Sequence, residues 1–183
     1  MKAAADEPLI LVNERNRALG TAGKEAVHRE GALHRAFSIF LVDARGRILL
    51  QQRSPRKYHS GGLWANSCCG HPRPGERTLA AARRRLNEEL GVRDPLSFAF
   101  FARYRADLDN GMRENELVYV YFGRLLSAPK PDPDEVAQVE LASLREIEKR
   151  IREQPRSFTY WMRHYVRNHR AEIARAAGKA AGR

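Results

Sequence analysis

Residues 65–76 read Ala-Asn-Ser-Cys-Cys-Gly-His-Pro-Arg-Pro-Gly-Glu, and the interpretation of the whole chain starts from this stretch. It joins two neighbouring thiols, an imidazole and a glycine to the predicted start of a helix. From Gly70 the sequence runs through five residues to Glu76, and through seven more to Arg84-Arg85-Leu86-Asn87-Glu88-Glu89-Leu90-Gly91-Val92. Apolar residues at helical spacing predict a helix over residues 76–90. Its dipole disfavours Glu88 and Glu89 by about 0.3–1 kcal/mol each, so these carboxylates favour a cation nearby.

This spacing resembles the Nudix box, Gly-x5-Glu-x7-Arg-Glu-U-x-Glu-Glu-x-Gly-U, where U is a bulky apolar residue. The chain departs from the box at one position: Arg85 stands where Nudix hydrolases carry a glutamate of the acid cluster that holds divalent metal against a diphosphate. Replacing glutamate by arginine removes a metal ligand and adds a cation. We therefore expect a site that binds diphosphate but is poorly equipped to hydrolyse it.

Two further segments make the resemblance more specific. Residues 66–72 and the later Arg113-Glu114-Asn115-Glu116 are similar to the type 1 isopentenyl-diphosphate isomerases, a family within the Nudix superfamily, and the similarity extends from about residue 9 to residue 162. It implies an α+β fold, the Nudix-type α/β/α sandwich with a mixed central sheet. It also implies an isomerase of isoprenoid biosynthesis that interconverts isopentenyl and dimethylallyl diphosphate by metal-dependent protonation and deprotonation.

The resemblance implies a metal site made almost entirely of protein side chains: His28, His34, His71, Glu114 and Glu116. The positions of the two glutamates agree with this, because residues two apart in a strand project to the same side. Imidazole together with carboxylate suits Mn²⁺, Mg²⁺ or Zn²⁺, and the ligand types do not select among them.

The resemblance also implies a diphosphate subsite. Glu89 matches the ligand of a second ion, Mg²⁺, which bridges to the substrate diphosphate. Four cationic positions match those that neutralise the phosphate oxygens, namely Lys24, Arg53, Lys57 and Arg85. Charged donors of this kind are what phosphate recognition requires.

Four residues are expected to act at the reacting carbons: Cys69, Glu116, Tyr104 and Trp161. Protonating an unactivated alkene gives a tertiary carbocation, so an acid and a base are needed on opposite faces of the substrate. Cys69 and Glu116 are this pair, Tyr104 hydrogen-bonds Glu116, and Trp161 stabilises the cation through its indole face. A thiol serves here if its pKa is tuned towards neutral. Trp64 and Cys68 are expected to shape the pocket, with Cys68 pointing away from Cys69.

The remaining pattern predicts strands near residues 9–13, 35–42, 47–53, 97–106, 116–124 and 136–141, with turns at residues 43–46 and 109–111. Residues 20–28 are expected to be a polar connector and residues 54–62 a loop. Ser143 and Glu146 form a capping box that opens a helix, and apolar residues from Phe158 to Val166 predict another. We expect a disordered segment at residues 1–7, one isomerase domain at residues 8–170, and a basic, frayed tail at residues 171–183.

Composition restricts the alternatives. The chain has 183 residues and a net charge of +11, and its two cysteines are adjacent, which suits a reducing compartment and predicts a cytoplasmic protein. Residues 145–183 hold eleven basic and four acidic side chains, so most of the excess charge belongs to this end. We expect a small-molecule partner, no nucleic acid or membrane, and a monomer or homodimer. Two alternatives stay open: a Nudix pyrophosphohydrolase, and a non-catalytic basic module that binds phosphate or RNA.

Most of these residues also have an ordinary structural interpretation. Arg85 and Glu89 are spaced as a helical ion pair, Tyr104 suits cross-strand packing, and Trp161 belongs to an apolar helical stripe. Any single histidine or cation is more often a solvated or hydrogen-bonded side chain. The functional interpretation depends on their occurring together.

Overall fold

The computed structural model describes residues 7–57, 59–108 and 110–182. Within these ranges nine strands form one mixed sheet: β1 (Pro8–Val12), β2 (Ala18–Gly23), β3 (His34–Val42), β4 (Ile48–Arg53), β5 (Trp64–Ala65), β6 (Cys68–Gly70), β7 (Ser97–Asp107), β8 (Arg113–Arg124) and β9 (Val136–Ala142). The same ranges contain the helices α1 (Lys24–Glu30), α2 (Thr78–Leu90), α3 (Leu144–Glu153), α4 (Tyr160–Asn168) and α5 (Arg170–Ala180). The predicted α+β class with a mixed sheet is confirmed.

Strand β3 is the centre of the sheet. It pairs in parallel with β8 and in antiparallel orientation with β1, β4 and β6. All but one of its residues are buried, as its uninterrupted apolar run predicted. Because β6 and β8 flank the same residues of β3, side chains from these two strands are brought to either side of one strand.

Helices cover both faces of the sheet. On one face, α2 packs its Ala81, Ala82, Leu86 and Leu90 against the odd-numbered residues of β3, from Phe37 to Leu41. On the other face, α3, α4 and α5 pack over Ala36 and Phe40, and the largest buried side chains there include Tyr165 and Phe158. Of the functional side chains described below, Cys69, Tyr104 and Trp161 lie on this second face, whereas Arg85 and Glu89 belong to α2.

The C-terminal segment differs from the expected frayed tail. Residues 170–180 form α5, whose Ile173 and Ala177 are buried in the same core as α4. Alanine contributes little to an apolar periodicity, although its small side chain packs closely. The sequence pattern therefore did not reveal that this segment packs against the core. The basic side chains line the outer side of an ordered helix. No helix among the described residues is long and apolar enough to cross a membrane.

Local boundaries differ at three other places. The expected polar connector at residues 20–28 consists of parts of β2 and α1. Strand β2 pairs with β1 at the edge of the sheet and is largely exposed, so it carries no apolar pattern. The motif helix begins at Thr78 rather than residue 76, after a turn through Gly75 at φ 78°. Of the expected turn at residues 109–111 and the expected disordered segment at residues 1–7, Asp109 and residues 1–6 lie outside the described ranges.

Candidate active site and metal centre

Four neighbouring strands, in the order β6, β3, β8 and β7, bring three of the predicted catalytic residues, Cys69, Glu116 and Tyr104, to one face of the sheet. Ser38 of β3 pairs with Cys69 of β6, and His34 at the start of β3 pairs with Glu116 of β8. One strand further out, Tyr104 of β7 lies opposite Glu116. Alternate side chains of a strand share a face, and Cys69 and Tyr104 both belong to the core beneath α4. The thiol and the carboxylate therefore face the same side of the sheet.

Cys68 faces the other way, as expected. It is fully buried in the core under α2, and neither cysteine forms a disulfide. Next to this pair, a Cβ atom on Gly70 would lie 2.9 Å from the Phe37 ring and 3.4 Å from Cγ of Arg85. Glycine is therefore required where β6 passes between the sheet and the motif helix.

We call the set His28, His34, His71, Glu114 and Glu116 the cage. The donor atoms of its three histidines and Glu116 all lie within 4.8 Å of one another. His34 Nε2 is 3.2 Å from His71 Nε2, and Oε1 of Glu116 is 2.9 Å from His71 Nε2 and 3.5 Å from His34 Nε2. Glu114 Oε2 lies 3.5 Å from His28 Nε2. The structure thus brings all five predicted ligands together.

Backbone carbonyls orient two of these imidazoles. Nδ1 of His28 lies 2.7 Å from the carbonyl oxygen of Lys24, and Nδ1 of His34 lies 2.9 Å from that of Ala32. A carbonyl oxygen only accepts, so each Nδ1 carries a proton, and in the neutral ring the lone pair of Nε2 points into the cage. Metal-binding histidines are commonly fixed in this way.

The electrostatics of the cage favour a cation. Burial and the neighbouring Glu116 raise the pKa of Glu114. Burial acts in the same direction on Glu116, but the imidazoles of His34 and His71 outweigh it and hold its pKa well below the ordinary value. Burial lowers the pKa of His71 to about 3, so this ring is neutral.

Glu114 tests directly whether the cage fits a metal ion. Its side chain is buried, and its Oε2 accepts no hydrogen bond from any described residue. An unsatisfied buried carboxylate oxygen costs several kcal/mol unless a cation or donor reaches it. With three imidazoles and two carboxylates brought together, the donor set fits a divalent ion such as Mn²⁺, Mg²⁺ or Zn²⁺.

Cys69 sits in a small polar pocket. The side-chain amide of Asn66 donates to the carbonyl oxygens of Ile39 and Cys68 at 2.9 and 3.1 Å, which turns its Oδ1 towards Cys69 Sγ at 3.2 Å. An amide oxygen only accepts, so the sulfur carries its proton. Burial raises the pKa of Cys69 to about 12 despite hydrogen bonds with Ser38 and Asn66. The expected tuning of the thiol towards neutral is therefore not what the structure shows, because desolvation of the sulfur disfavours the charged thiolate.

Tyr104 and Trp161 flank the same space. The Tyr104 hydroxyl donates to Oε2 of Glu116, as expected, and burial raises the pKa of Tyr104 well above its ordinary value, so it stays a donor. Trp161 is 3% exposed, and its Nε1 has no hydrogen-bond partner among the described residues. The Arg53 guanidinium lies 5.2 Å from the centroid of the Trp161 ring. Trp64 is buried in the same core.

The four predicted phosphate-binding cations converge at the rim of this face. Burial lowers the pKa of Lys57 to about 8, and the nearby charges of Arg53, Arg85 and Lys24 add to the effect. The Lys57 ammonium forms an ion pair with Glu135, which lies just before β9. Cations held this close together repel one another, so an anion such as a diphosphate is favoured between them.

Glu89, the expected Mg²⁺ ligand, lies at the C-terminal end of α2 and is 3% exposed. It forms an ion pair with Arg85 and accepts a hydrogen bond from Nε2 of Gln51 at 3.2 Å. The helical ion pair that the spacing also allowed is therefore present. A bound diphosphate would compete with Glu89 for Arg85 and leave the carboxylate available to an ion.

Sequence reasoning missed three parts of the site. His59 lies in the loop between β4 and β5, with its Nε2 3.7 Å from Oε1 of Glu114. Glu135 pairs with Lys57, and Ser38 lies 3.4 Å from the Cys69 sulfur. The sequence offered only weak signals for these residues: a polar residue inside an apolar strand, and polar residues close to a motif. The residues that they contact are distant in the sequence.

Comparison with known proteins agrees with this arrangement. Residues 32–162 match the NUDIX domain family model. An isopentenyl-diphosphate Delta-isomerase of Pectobacterium atrosepticum is 48% identical over 84% of this chain and 86% of its own length. The protein of the same name from Streptomyces griseus is 44% identical over 95% of this chain and 89% of its own.

Solved structures support the fold independently. A crystal structure from Deinococcus radiodurans superposes with a TM-score of 0.74 at 23% identity, covering 88% of this chain and 98% of that one. A MutT protein of Methanosarcina mazei superposes with a TM-score of 0.63 at 17% identity, covering 76% and 94%. Taken with the sequence matches, the chain belongs to the Nudix superfamily and, within it, to the isopentenyl-diphosphate Delta-isomerase family.

Proposed function

We propose that this protein interconverts isopentenyl diphosphate and dimethylallyl diphosphate by a metal-dependent 1,3-allylic proton shift. The observation that carries the proposal is the placement of the Cys69 thiol and the Glu116 carboxylate on one buried face of the sheet, next to the cage. The related proteins bearing the isomerase name support the same activity. Reaction and substrate class follow from this combination.

The reaction adds a proton to the terminal alkene carbon and removes another from the carbon two positions away. Cys69 and Glu116 are the two groups that exchange these protons. In the resting pair the thiol holds its proton against Asn66, while the neighbouring imidazoles keep Glu116 ionised. The pair therefore presents one donor and one acceptor to the substrate, as a proton shift requires.

Tyr104 and Trp161 assist at the reacting carbons. The Tyr104 hydroxyl donates to Glu116, so it can pass a proton to and from that carboxylate. The buried indole of Trp161 stabilises the tertiary cation, by up to about 2 kcal/mol when water is excluded. The position of Arg53 supports this role, since its guanidinium lies 5.2 Å from the centroid of the Trp161 ring.

The metal would be held by the five side chains of the cage. A divalent ion held there would lower the pKa of Glu116, which keeps the carboxylate ionised as the acceptor and, in the reverse direction of the reaction, makes its acid form a stronger proton donor. We propose Mn²⁺ or Mg²⁺ for this position, with Zn²⁺ as the third candidate by ligand type. A second ion, Mg²⁺, is proposed at Glu89.

Lys24, Arg53, Lys57 and Arg85 are proposed to bind the diphosphate, which holds the substrate with its alkene towards Cys69. The proposed partner is thus a small isoprenoid diphosphate rather than nucleic acid or membrane, and the protein is proposed to act as a monomer or homodimer in the cytoplasm. One observation argues against a pyrophosphohydrolase: the motif acids Glu88 and Glu89, which would hold metal in such an enzyme, are paired with Arg85.

The test is to incubate purified protein with isopentenyl diphosphate and follow the product by proton NMR, with phosphate release measured in parallel. We expect dimethylallyl diphosphate without phosphate release, and loss of turnover when a chelator is added. Released phosphate would favour the hydrolase. Absence of both, together with strongly salt-dependent RNA binding, would favour the basic binding module.

A further inference from the structure

A sixth buried donor lies against the cage. His59 belongs to the loop of residues 54–63 that connects β4 with β5. Its side chain is 8% exposed, and its Nε2 lies 3.7 Å from Oε1 of Glu114. Its ring centroid is 5.9 Å from that of His28. No step of the proposed reaction uses this residue.

The donor atoms near the cage fall into two groups that share one residue. The first contains His28, His34, His71 and Glu116, and the second contains His28, His59 and Glu114. Within each group every donor atom lies within 4.8 Å of the others, close to the separation of about 4.2 Å between opposed ligands of one ion. Glu114 belongs only to the second group, so an ion that reaches Glu114 also comes within range of His59.

The His59 ring is held in this orientation by contacts on its other sides. Its Nδ1 lies 3.3 Å from Oγ of Ser60, and its ring meets that of Trp161 edge to face with centroids 6.0 Å apart. The Arg53 guanidinium donates to the backbone carbonyl oxygens of His59 and Ser60, both at 3.2 Å. These contacts leave Nε2 directed at Glu114.

We propose that His59 is a further metal ligand, which completes the Glu114 side of the cage and ties the loop of residues 54–63 to the bound ion. The inference rests on the metal site of the proposed function and extends it by one residue. Of the ions proposed above, a cage of four imidazoles and two carboxylates favours Mn²⁺ and Zn²⁺ over Mg²⁺, and Co²⁺ shares this preference for nitrogen ligands and serves as a spectroscopic probe.

Because His59 lies in this loop, its binding to the ion would have a second consequence. Two of the proposed diphosphate-binding cations belong to the same region: Arg53 directly precedes the loop, and Lys57 lies within it. If the ion holds His59, metal loading also orders the side chains that meet the diphosphate. Because such coupling is reciprocal, diphosphate binding should tighten metal binding by the same factor.

The experiment titrates Co²⁺ into metal-free protein and records the visible absorption bands together with the dissociation constant. We expect His59→Gln to weaken Co²⁺ binding about tenfold or more and to change the bands, since the loss of a metal-site partner costs about 10- to 100-fold. His169→Gln is the matched control, because His169 lies between α4 and α5 and belongs to neither donor group. It should bind Co²⁺ like the parent.

A measurement on the parent protein covers the case in which the variant fails to fold. The Co²⁺-loaded parent should show four hyperfine-shifted imidazole N–H signals in its proton NMR spectrum, one for each bound histidine. Three signals, or a folded His59→Gln variant with unchanged affinity and bands, would overturn the role of His59. Failure of the parent itself to bind Co²⁺ would instead refute the cage of the proposed function.

Discussion

The molecule contains two groups of acidic side chains that differ in what surrounds them. We call Glu76, which precedes α2, together with Glu88 and Glu89 near the C-terminal end of α2, the helix acids. They are paired with arginines: Glu76 and Glu88 with Arg84, and Glu88 and Glu89 with Arg85. Glu114 and Glu116 contact histidines and Tyr104 instead. Arginine remains charged and neutralises a carboxylate permanently, whereas a neutral imidazole offers a lone pair beside it.

This contrast indicates where the proposed chemistry lies. The helix acids occupy the positions of the metal-binding cluster of a Nudix hydrolase, but they are paired with arginines, of which Arg85 is a proposed phosphate contact. The cage acids lie beside imidazoles, on the same face of the sheet as the Cys69 thiol. Under the proposed function, the fold therefore keeps a diphosphate subsite near α2 and has its reacting groups on the opposite face of the sheet.

The largest expected effect compares one acid from each group. Glu116→Gln should lower isomerase turnover at least about a thousandfold, because it removes both a proton acceptor and a proposed metal ligand. Glu88→Gln should change turnover no more than a few-fold, since Glu88 is 38% exposed and already paired. Steady-state kinetics on both variants checks this. Equal losses would place the chemistry on the helix.

Arg85→Glu tests the altered position of the motif. It replaces a proposed phosphate contact by a repelling charge, so binding of inorganic pyrophosphate should weaken about 10- to 100-fold, as expected for hydrogen bonds to charged groups. Calorimetric titration measures this. Arg83→Glu is the matched control, because Arg83 lies two positions earlier on α2 and is exposed. If both variants bind alike, Arg85 is only a structural partner of Glu89.

Tyr104→Phe should have a smaller effect on the cage side. It removes the hydroxyl that donates to Glu116 and leaves the ring packed in the core. We expect kcat to fall about tenfold with KM little changed, because the hydroxyl acts through Glu116 rather than on the diphosphate. A rise in KM with unchanged kcat would instead indicate a role in binding.

Glu76→Gln should affect stability rather than activity. Arg84 donates two hydrogen bonds to Glu76, each at 2.9 Å, and these hold the pKa of Glu76 below its ordinary 4.5. The pair therefore stabilises the fold above pH 4.5, and its contribution is lost as pH falls through the lowered value. We expect a loss of at most about 1 kcal/mol near pH 7. Urea unfolding at pH 7 and pH 3 should show a smaller difference between parent and variant at pH 3 than at pH 7.

The sequence predicted the parts of the molecule that repeat a local pattern. The buried run of β3, the capping box of Ser143 and the motif helix all follow from short-range rules, and the cage was recovered from motif resemblance. The helices α1 and α5 were not predicted. Helix α1 is short and has no side-chain cap, and α5 packs through alanines.

His59 and the state of the thiol could not be inferred in the same way. His59 stands in a glycine-containing loop and meets Glu114 across a large sequence separation. The protonation of Cys69 depends on how Asn66 is turned by two backbone carbonyls. Both follow from tertiary contacts, which no local pattern encodes.

The most direct test of the account is deuterium incorporation from D₂O into isopentenyl diphosphate, compared between Cys69→Ala and Cys68→Ala. The two sulfurs are adjacent in sequence but lie on opposite faces of the sheet. We predict that Cys69→Ala abolishes exchange at the substrate carbons while Cys68→Ala exchanges at close to the parent rate. Exchange at the parent rate by a folded Cys69→Ala variant would contradict the central claim that proton transfer takes place on the Cys69 and Glu116 face.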